Sequence, residues 1–150
     1  MRDHYRIMDL LGTGAFGEAR KCVWKENIHN KKNSYKDYRA VKVMSRAYME
    51  KKHEEMFHNE VKIMLKLNKE PHPNIVRFHH YFEDPKRYLL ISELCEGGEL
   101  NDFLGKGLLD QVDASFVIQQ ILSAMSYMHQ QNIIHRDLKP ENILLDDRSK

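Results

Sequence analysis

One run of eight residues constrains this chain more than any other feature: His135-Arg136-Asp137-Leu138-Lys139-Pro140-Glu141-Asn142. It places a carboxylate, an ammonium group and a carboxamide within six positions, beside a proline. Transfer of a phosphoryl group needs such a set: a carboxylate to receive a hydroxyl proton, a cation to meet phosphate charge and an oxygen ligand for Mg²⁺. The run therefore predicts a phosphoryl-transfer loop.

A glycine-rich turn stands near the N-terminus, Gly12-Thr13-Gly14-Ala15-Phe16-Gly17. In a dinucleotide-binding fold such a turn opens a helix and an acid follows about 20 residues later, and Asp37 has that spacing from Gly17. However, Glu18 to Trp24 alternate as in a strand, and Asp37 lies in a polar stretch. This favours a strand–turn–strand flap whose backbone N–H groups approach phosphates without obstruction by Cβ atoms. A purely structural turn and the dinucleotide-binding fold are the two alternatives.

A lysine and a glutamate are placed to form an ion pair. Tyr38 to Met44 alternate as in a strand, which puts Ala40 and Lys42 on one face. Residues 54–68 have helical spacing, and Glu60 lies inside the apolar stripe of that helix. A carboxylate buried there needs a partner, because an unpaired buried charge is costly. Lys42 is the natural partner.

The remaining pattern divides the chain into a strand-rich part and a helical part. His72-Pro73-Asn74 breaks the chain, and residues 75–82 and 87–93 are predicted strands around a turn at Asp84-Pro85. After Gly97-Gly98 the pattern becomes helical, with an apolar stripe at Val117, Ile121, Ala124, Met125 and Met128. The predicted fold class is α+β.

Composition limits the partners and the compartment. The 24 Lys and Arg residues nearly balance 22 Asp and Glu residues, so nucleic acid is not expected as a main partner. The sequence contains no apolar run long enough to span a bilayer. Cys22 and Cys95 lie far apart without metal-ligand spacing, which fits a reducing compartment. A cytoplasmic protein is expected, with the nucleus as the other possible location.

The glycine turn, Ala40-Val41-Lys42 and the run at 135–142, in that order, closely resemble the eukaryotic protein kinase family. Lys139 is the residue that serine/threonine kinases carry at its position. The resemblance implies a kinase fold, with residues 1–95 as the N-terminal lobe and hinge (an antiparallel sheet with one helix) and 96–150 as the start of a helical C-terminal lobe. The hinge and the His-Pro-Asn-Ile-Val segment most resemble the calcium/calmodulin-dependent and calcium-dependent kinases.

The resemblance also implies roles for single residues. Asp137 would orient the substrate hydroxyl, Lys139 would steady the transferring phosphate, Asn142 would bind Mg²⁺, and Lys42 with Glu60 would hold the phosphates of ATP. The expected ATP-binding residues are Leu11, Gly12, Thr13, Gly14, Ala15, Phe16, Gly17, Glu18, Ala19, Ala40, Lys42, Ser92, Glu93, Cys95 and Leu144.

Two further roles follow from the resemblance. Glu99 and Glu141 match acids that read an arginine upstream of the target Ser or Thr in the protein substrate. Ser92 matches the position that gates a pocket behind adenine, and its small size predicts an open pocket.

The chain ends at Lys150, before any Asp-Phe-Gly sequence. The resemblance therefore implies an incomplete kinase domain, and we expect the 150-residue chain alone to be inactive or nearly so. The helix at 113–131 is expected to expose its apolar stripe, which a partner could cover. A truncated pseudokinase that binds nucleotide or a partner is the alternative, although intact Lys42, Asp137 and Asn142 weigh against it.

Overall fold

The computed structural model describes residues 4–14, 17–25, 38–107 and 109–146. The chain falls into two compact units, one comprising Met1–Lys66 with Arg77–Leu94 and the other Leu67–Val76 with Cys95–Lys150. The division into lobes at 95/96 stays a prediction.

Among its described residues, the first unit contains a five-stranded antiparallel sheet and one long helix. The strands lie in the order β1-β2-β3-β5-β4, with bounds β1 Tyr5–Gly14, β2 Gly17–Trp24, β3 Tyr38–Ser45, β4 Phe78–Glu83 and β5 Arg87–Glu93. A 3₁₀ turn, Arg46–Tyr48, leads into helix α1, Lys51–Leu67. The α+β fold is confirmed. The fourth strand begins later than the predicted position 75, because a backbone hydrogen bond of 3.1 Å from Ile75 to the His72 carbonyl closes a turn there.

The sheet buries a separate cluster on each face, because side chains alternate along each strand. One cluster joins strand residues to helix α1 and consists of Met44, Phe57, Val61, Phe78, Tyr88 and Leu90. The other consists of Tyr5, Cys22, Val41, Leu89 and Ile91. Strand β3 therefore contributes to both cores.

A bulge at His79 changes the side-chain alternation of β4. Phe78 lies opposite Ser92 and His80 lies opposite Ile91, so two residues of β4 face one of β5. His80 consequently joins the face away from helix α1, where its Nδ1 lies 2.7 Å from the Tyr5 hydroxyl. Tyr5 and His80 belong to the two edge strands, so this hydrogen bond joins the sheet's edges across its face. The pKa of His79 is lowered to about 4, chiefly because its ring is partly buried. The charges of nearby Arg39, Arg77 and His80 lower it further.

The second unit contains helix α2, Leu100–Gly105, helix α3, Gln111–Gln130, and a 3₁₀ turn, Pro140–Asn142. Asp110 caps helix α3 by accepting a hydrogen bond of 2.8 Å from the Asp113 backbone. Among the described residues, no helix is both long and apolar enough to cross a membrane.

Residues 67–76 pack along helix α3. The Tyr127 hydroxyl donates to the Glu70 carbonyl at 2.6 Å, and the His72 and Tyr127 rings stack with centroids 5.2 Å apart. The Asn74 side chain donates to the Gln120 side chain at 2.9 Å. These contacts account for the grouping of 67–76 with the second unit.

The expected exposure of the apolar stripe on this helix was wrong. Met128 is buried, and the other four stripe residues are half-buried. The large apolar side chains that helix α3 does expose are Val112, Phe116, Ile118 and Leu122. Helical spacing identified one apolar face but did not reveal a second one, nor which of the two packs against the rest of the unit.

We predict that Gly17→Ala destabilises the protein by about 3 kcal/mol, a cost typical of severe overpacking. A Cβ atom at Gly17 would lie 1.8 Å from the Val43 carbonyl oxygen, which belongs to the neighbouring strand and cannot rotate away. Denaturant unfolding measures the change. Gly14→Ala is the matched control, since a Cβ there would meet no described residue within 4 Å. Equal stability of the two variants would contradict the prediction.

Candidate active site

In the first unit, small side chains surround Lys42 on the face of the sheet that carries helix α1. Lys42 pairs with Ala19 on one side and Leu90 on the other, while Ala40 pairs with Ser92. Directly paired residues of an antiparallel ladder share a face. Three predicted ATP-binding residues therefore lie on the same face of the sheet as the lysine.

Lys42 and Glu60 form the predicted ion pair, with Nζ and Oε1 3.6 Å apart. Their side chains are 53% and 39% exposed, so the expectation of a buried Glu60 carboxylate was wrong. The apolar stripe of helix α1 packs on the sheet, but Glu60 stands at the margin of that contact. Solvent screens a pair of this kind, which therefore adds little to stability. The ion pair instead fixes the position of the Lys42 ammonium group.

The glycine turn joins strands β1 and β2, as the strand–turn–strand interpretation predicted. Gly14 pairs with Gly17 and Gly12 pairs with Ala19. Cβ atoms added at Gly12 and Gly14 would meet nothing within 4 Å among the described residues. Packing against this part of the chain therefore gives no reason for glycine at either position, whereas close approach of a phosphate would give one.

The other ATP-binding residues predicted around this turn are Leu11, Thr13, Ala15, Phe16 and Glu18. Leu11 is exposed, and Thr13 pairs with Glu18 across the two strands. Glu18 accepts a 2.6 Å hydrogen bond from Arg20, which lowers the pKa of the Glu18 carboxyl. Ala15 and Phe16 lie outside the described residues.

In the second unit, three polar side chains of the run at 135–142 converge. The Asn142 Nδ2 donates to both the Oδ2 and the backbone oxygen of Asp137, at 2.8 Å each. The Lys139 Nζ lies 3.2 Å from the same Oδ2. The hydrogen bond from Asn142, then that from Lys139, holds the pKa of the Asp137 carboxyl below its ordinary value. Asp137 is thus a charged, exposed acceptor at neutral pH.

Local backbone structure explains how these side chains meet. The Asn142 N–H donates to the Lys139 carbonyl at 2.9 Å, which closes the 3₁₀ turn that Pro140 begins. Arg136 has a φ of +67°, a conformation that residues other than glycine rarely adopt and that concentrates at functional sites. The Asp137 N–H points to the His135 Nδ1 at 3.3 Å. The sequence analysis did not predict the hydrogen bond from Asn142 to Asp137, although the Lys-Pro-x-Asn spacing could have suggested it.

The segment after this turn pairs with the segment around Gly97-Gly98. Leu144 forms an isolated bridge with Glu99, and the Gly97 N–H donates to the Leu145 carbonyl at 2.9 Å. A Cβ at Gly97 would lie 2.6 Å from that carbonyl oxygen, so the close approach requires glycine. Glu99 and Leu144, predicted for substrate and for ATP, are therefore neighbours, while Glu141 is exposed on the 3₁₀ turn.

The predicted site residues thus form two groups. Of those in the first unit, Ala19, Ala40 and Ser92 share the face of Lys42. Glu93 ends β5 opposite Arg39, and its N–H donates to the Arg77 carbonyl at 2.8 Å. Those of the second unit gather around Asp137 and the Glu99–Leu144 bridge. Cys95 begins the second unit's longer segment and is half-buried.

The sequence pattern of the protein kinase domain family matches residues 5–150. The chain belongs to the protein kinase domain family. Among its relatives, the chain is 40% identical over 145 residues to a calcium/calmodulin-dependent protein kinase type 1 of Macrobrachium nipponense, covering 96% of this chain and 39% of the relative. It is 37% identical over 150 residues to calcium-dependent protein kinase 4 of Plasmodium falciparum, which covers 99% of this chain and 26% of the relative.

A third relative is the calcium/calmodulin-dependent protein kinase type II of Caenorhabditis elegans. It is 36% identical over 157 residues, which cover 99% of this chain and 19% of the relative. These three relatives confirm the predicted resemblance to the calcium/calmodulin-dependent and calcium-dependent kinases. The chain spans between about a fifth and two fifths of the length of these relatives.

We predict that Asn142→Ala raises the pKa of the Asp137 carboxyl. The hydrogen bond from Asn142 stabilises the charged carboxylate, so its loss makes protonation easier and moves the titration to higher pH. Carbon-detected NMR titration of the Asp137 carboxyl carbon measures the shift. Glu141→Gln serves as control, since it alters an exposed side chain on the same turn. An unchanged Asp137 titration in Asn142→Ala would show that this hydrogen bond does not control the charge.

Proposed function

We propose that the protein transfers the γ-phosphoryl group of Mg-ATP to serine or threonine hydroxyls of other proteins. The observation that carries the proposal is the convergence of Lys139 and Asn142 on the Asp137 carboxylate, in a chain of the protein kinase family. Relatives named as calcium/calmodulin-dependent and calcium-dependent protein kinases support it.

Asp137 would orient the substrate hydroxyl and receive its proton. The carboxylate is ionised at neutral pH, because hydrogen bonds from Asn142 and Lys139 hold its pKa below the ordinary value. An ionised carboxylate can align the hydroxyl and accept its proton. Lys139, 3.2 Å from the carboxylate, would also offer its charge to the phosphoryl group in transfer.

The residues of the first unit would hold the nucleotide. Lys42, directed by Glu60, would contact the α- and β-phosphates, and the backbone N–H groups of the glycine turn would surround the phosphate chain. Ala19 and Ala40 offer small apolar side chains to the adenine ring, and Leu144 is a further candidate contact for it. The backbone groups of Glu93 and Cys95 would pair with adenine.

Asn142 is the candidate ligand for Mg²⁺. Its amide nitrogen is committed to Asp137, which leaves the side-chain oxygen as the group that suits a hard cation. Within the described ranges no group of three or more His, Cys, Asp or Glu residues could hold a metal. Asn142 would hold Mg²⁺, which when bound supplies positive charge beside the transferring phosphoryl group.

Glu99 and Glu141 would bind an arginine upstream of the target hydroxyl. Both are exposed acids of the second unit, one beside Leu144 and the other on the turn that holds Asn142. An arginine guanidinium pairs well with such carboxylates. We also propose a cytoplasmic location for the protein, with the nucleus as the alternative.

We predict that Lys42→Met lowers kcat/KM for phosphorylation of a Ser/Thr peptide by about 100-fold or more, because oriented charge on transferring phosphates contributes on this scale. The protein expressed from the complete coding sequence is assayed with Mg-ATP. Lys62→Met is the control, since Lys62 is an exposed lysine on the same helix as Glu60. Phosphotransfer absent from the unaltered protein, together with retained nucleotide or partner binding, would instead favour a pseudokinase.

We also predict that Ser92→Met weakens inhibition by a purine analogue carrying a bulky aromatic substituent by about tenfold or more, the effect of filling the space such a group occupies. Ser92 lies opposite Ala40 on the face that carries Lys42, so a longer side chain would close this region. The inhibition constant is measured with the KM for ATP as the internal control. Unaltered inhibition in Ser92→Met would contradict the open pocket.

A further inference from the structure

Arg46 connects three elements of the first unit. Its backbone N–H donates to the Lys86 carbonyl at 2.9 Å, and its Nη1 donates to the Asp84 carbonyl at 3.3 Å. Both contacts bind the end of strand β3 to the turn between β4 and β5. From there the Arg46 Nη2 reaches the Glu54 Oε1 of helix α1 at 3.2 Å.

The same side chain lies on an aromatic pair. The Arg46 guanidinium stands over the Tyr88 ring, 4.7 Å from its centroid, and the Tyr88 and Phe57 ring centroids are 4.3 Å apart. Tyr88 and Phe57 are nearly fully buried. A cation on an aromatic face beside a carboxylate combines two attractions in a partly desolvated place. Arg46 therefore attaches the first half of helix α1 to the sheet.

This attachment bears on the ion pair of the proposed site. Glu54 and Glu60 are six residues apart on one continuous helix, which separates them by about 9 Å along its axis. A helix segment of this length is rigid, so the position of Glu54 determines where Glu60 lies. The Lys42–Glu60 pair itself is 3.6 Å long and largely exposed, and such a pair contributes little to holding a helix in place.

We propose that Arg46 is a positioning residue for phosphoryl transfer: by holding Glu54 and Tyr88 it keeps helix α1 where Glu60 meets Lys42. The inference rests on the proposed function for its effect on catalysis. In this proposal Arg46 acts through the Lys42–Glu60 pair rather than by touching ATP or the protein substrate.

The chain offers a matched control in Arg87. Arg87 pairs with Asp84 at 3.0 Å on the same turn, and its side chain is 34% exposed against 33% for Arg46. However, the Arg87–Asp84 pair lies within the turn and does not involve helix α1. Both substitutions remove a surface charge, but only Arg46→Met also removes the contacts that attach helix α1 to the sheet.

The first experiment measures hydrogen–deuterium exchange over 51–67 in the protein from the complete coding sequence. Arg46→Met is expected to exchange faster than the unaltered protein across this helix, and Arg87→Met is expected to match the unaltered protein. Equal exchange in the two variants would overturn the inference. This readout needs no catalysis, so it tests the hold on the helix even where phosphotransfer is absent, an outcome that would contradict the proposed function alone.

The second experiment is a double-mutant cycle on kcat. Arg46→Met is expected to lower kcat about tenfold, the effect of losing one charged hydrogen bond, with the KM for the peptide unchanged. In a Glu60→Gln background the same substitution is expected to change kcat by less than about twofold, since the pair through which it acts is already lost. A full tenfold loss in that background would show that Arg46 does not act through Glu60 and would overturn the inference.

Discussion

The alternation of strand β3 is the constraint on which the first unit depends. Val41 is 0% exposed in one core and Met44 is 4% exposed in the other, so the strand is held from both sides. A shift of one residue in its pairing would turn every side chain to the opposite face. Lys42 therefore points toward helix α1 because Val41 and Met44 are buried, and the packing of the two cores determines which way the cation points.

The two ion pairs of the candidate site hold charge in place without contributing much stability. Lys42 with Glu60 and Lys139 with Asp137 are exposed to an extent at which solvent screens their attraction. Stability comes from the apolar clusters and, in the second unit, from residues 67–76 packing along helix α3. This separation suits the proposed binding of phosphates, because charged groups that contributed to stability would be less available to a ligand.

The sequence predicted the existence and type of the elements better than their edges. Four strands, both principal helices, the shared face of Ala40 and Lys42 and the Lys42–Glu60 pair were predicted from periodicity. The start of β4, its bulge at His79 and the second apolar face of helix α3 were not. The bulge and the second apolar face depend on contacts between residues far apart in the chain, such as Tyr5 with His80, whereas the start of β4 follows the local turn that Ile75 and His72 close. The spacing of residues along the chain does not reveal such contacts, whereas it does reveal the alternation of side chains along a strand.

The sequence by itself determined the chemical groups at the candidate site and the family to which the chain belongs, because charged residues and glycines rarely fall at all of these spacings by chance. Only the tertiary structure decided how those groups are held. It showed that Asn142 donates to Asp137, that Glu60 is half exposed and that Arg46 attaches helix α1 to the turn between β4 and β5. The physical reason is that hydrogen bonds and ion pairs depend on distances of a few ångströms, and only the packing of distant segments sets those distances.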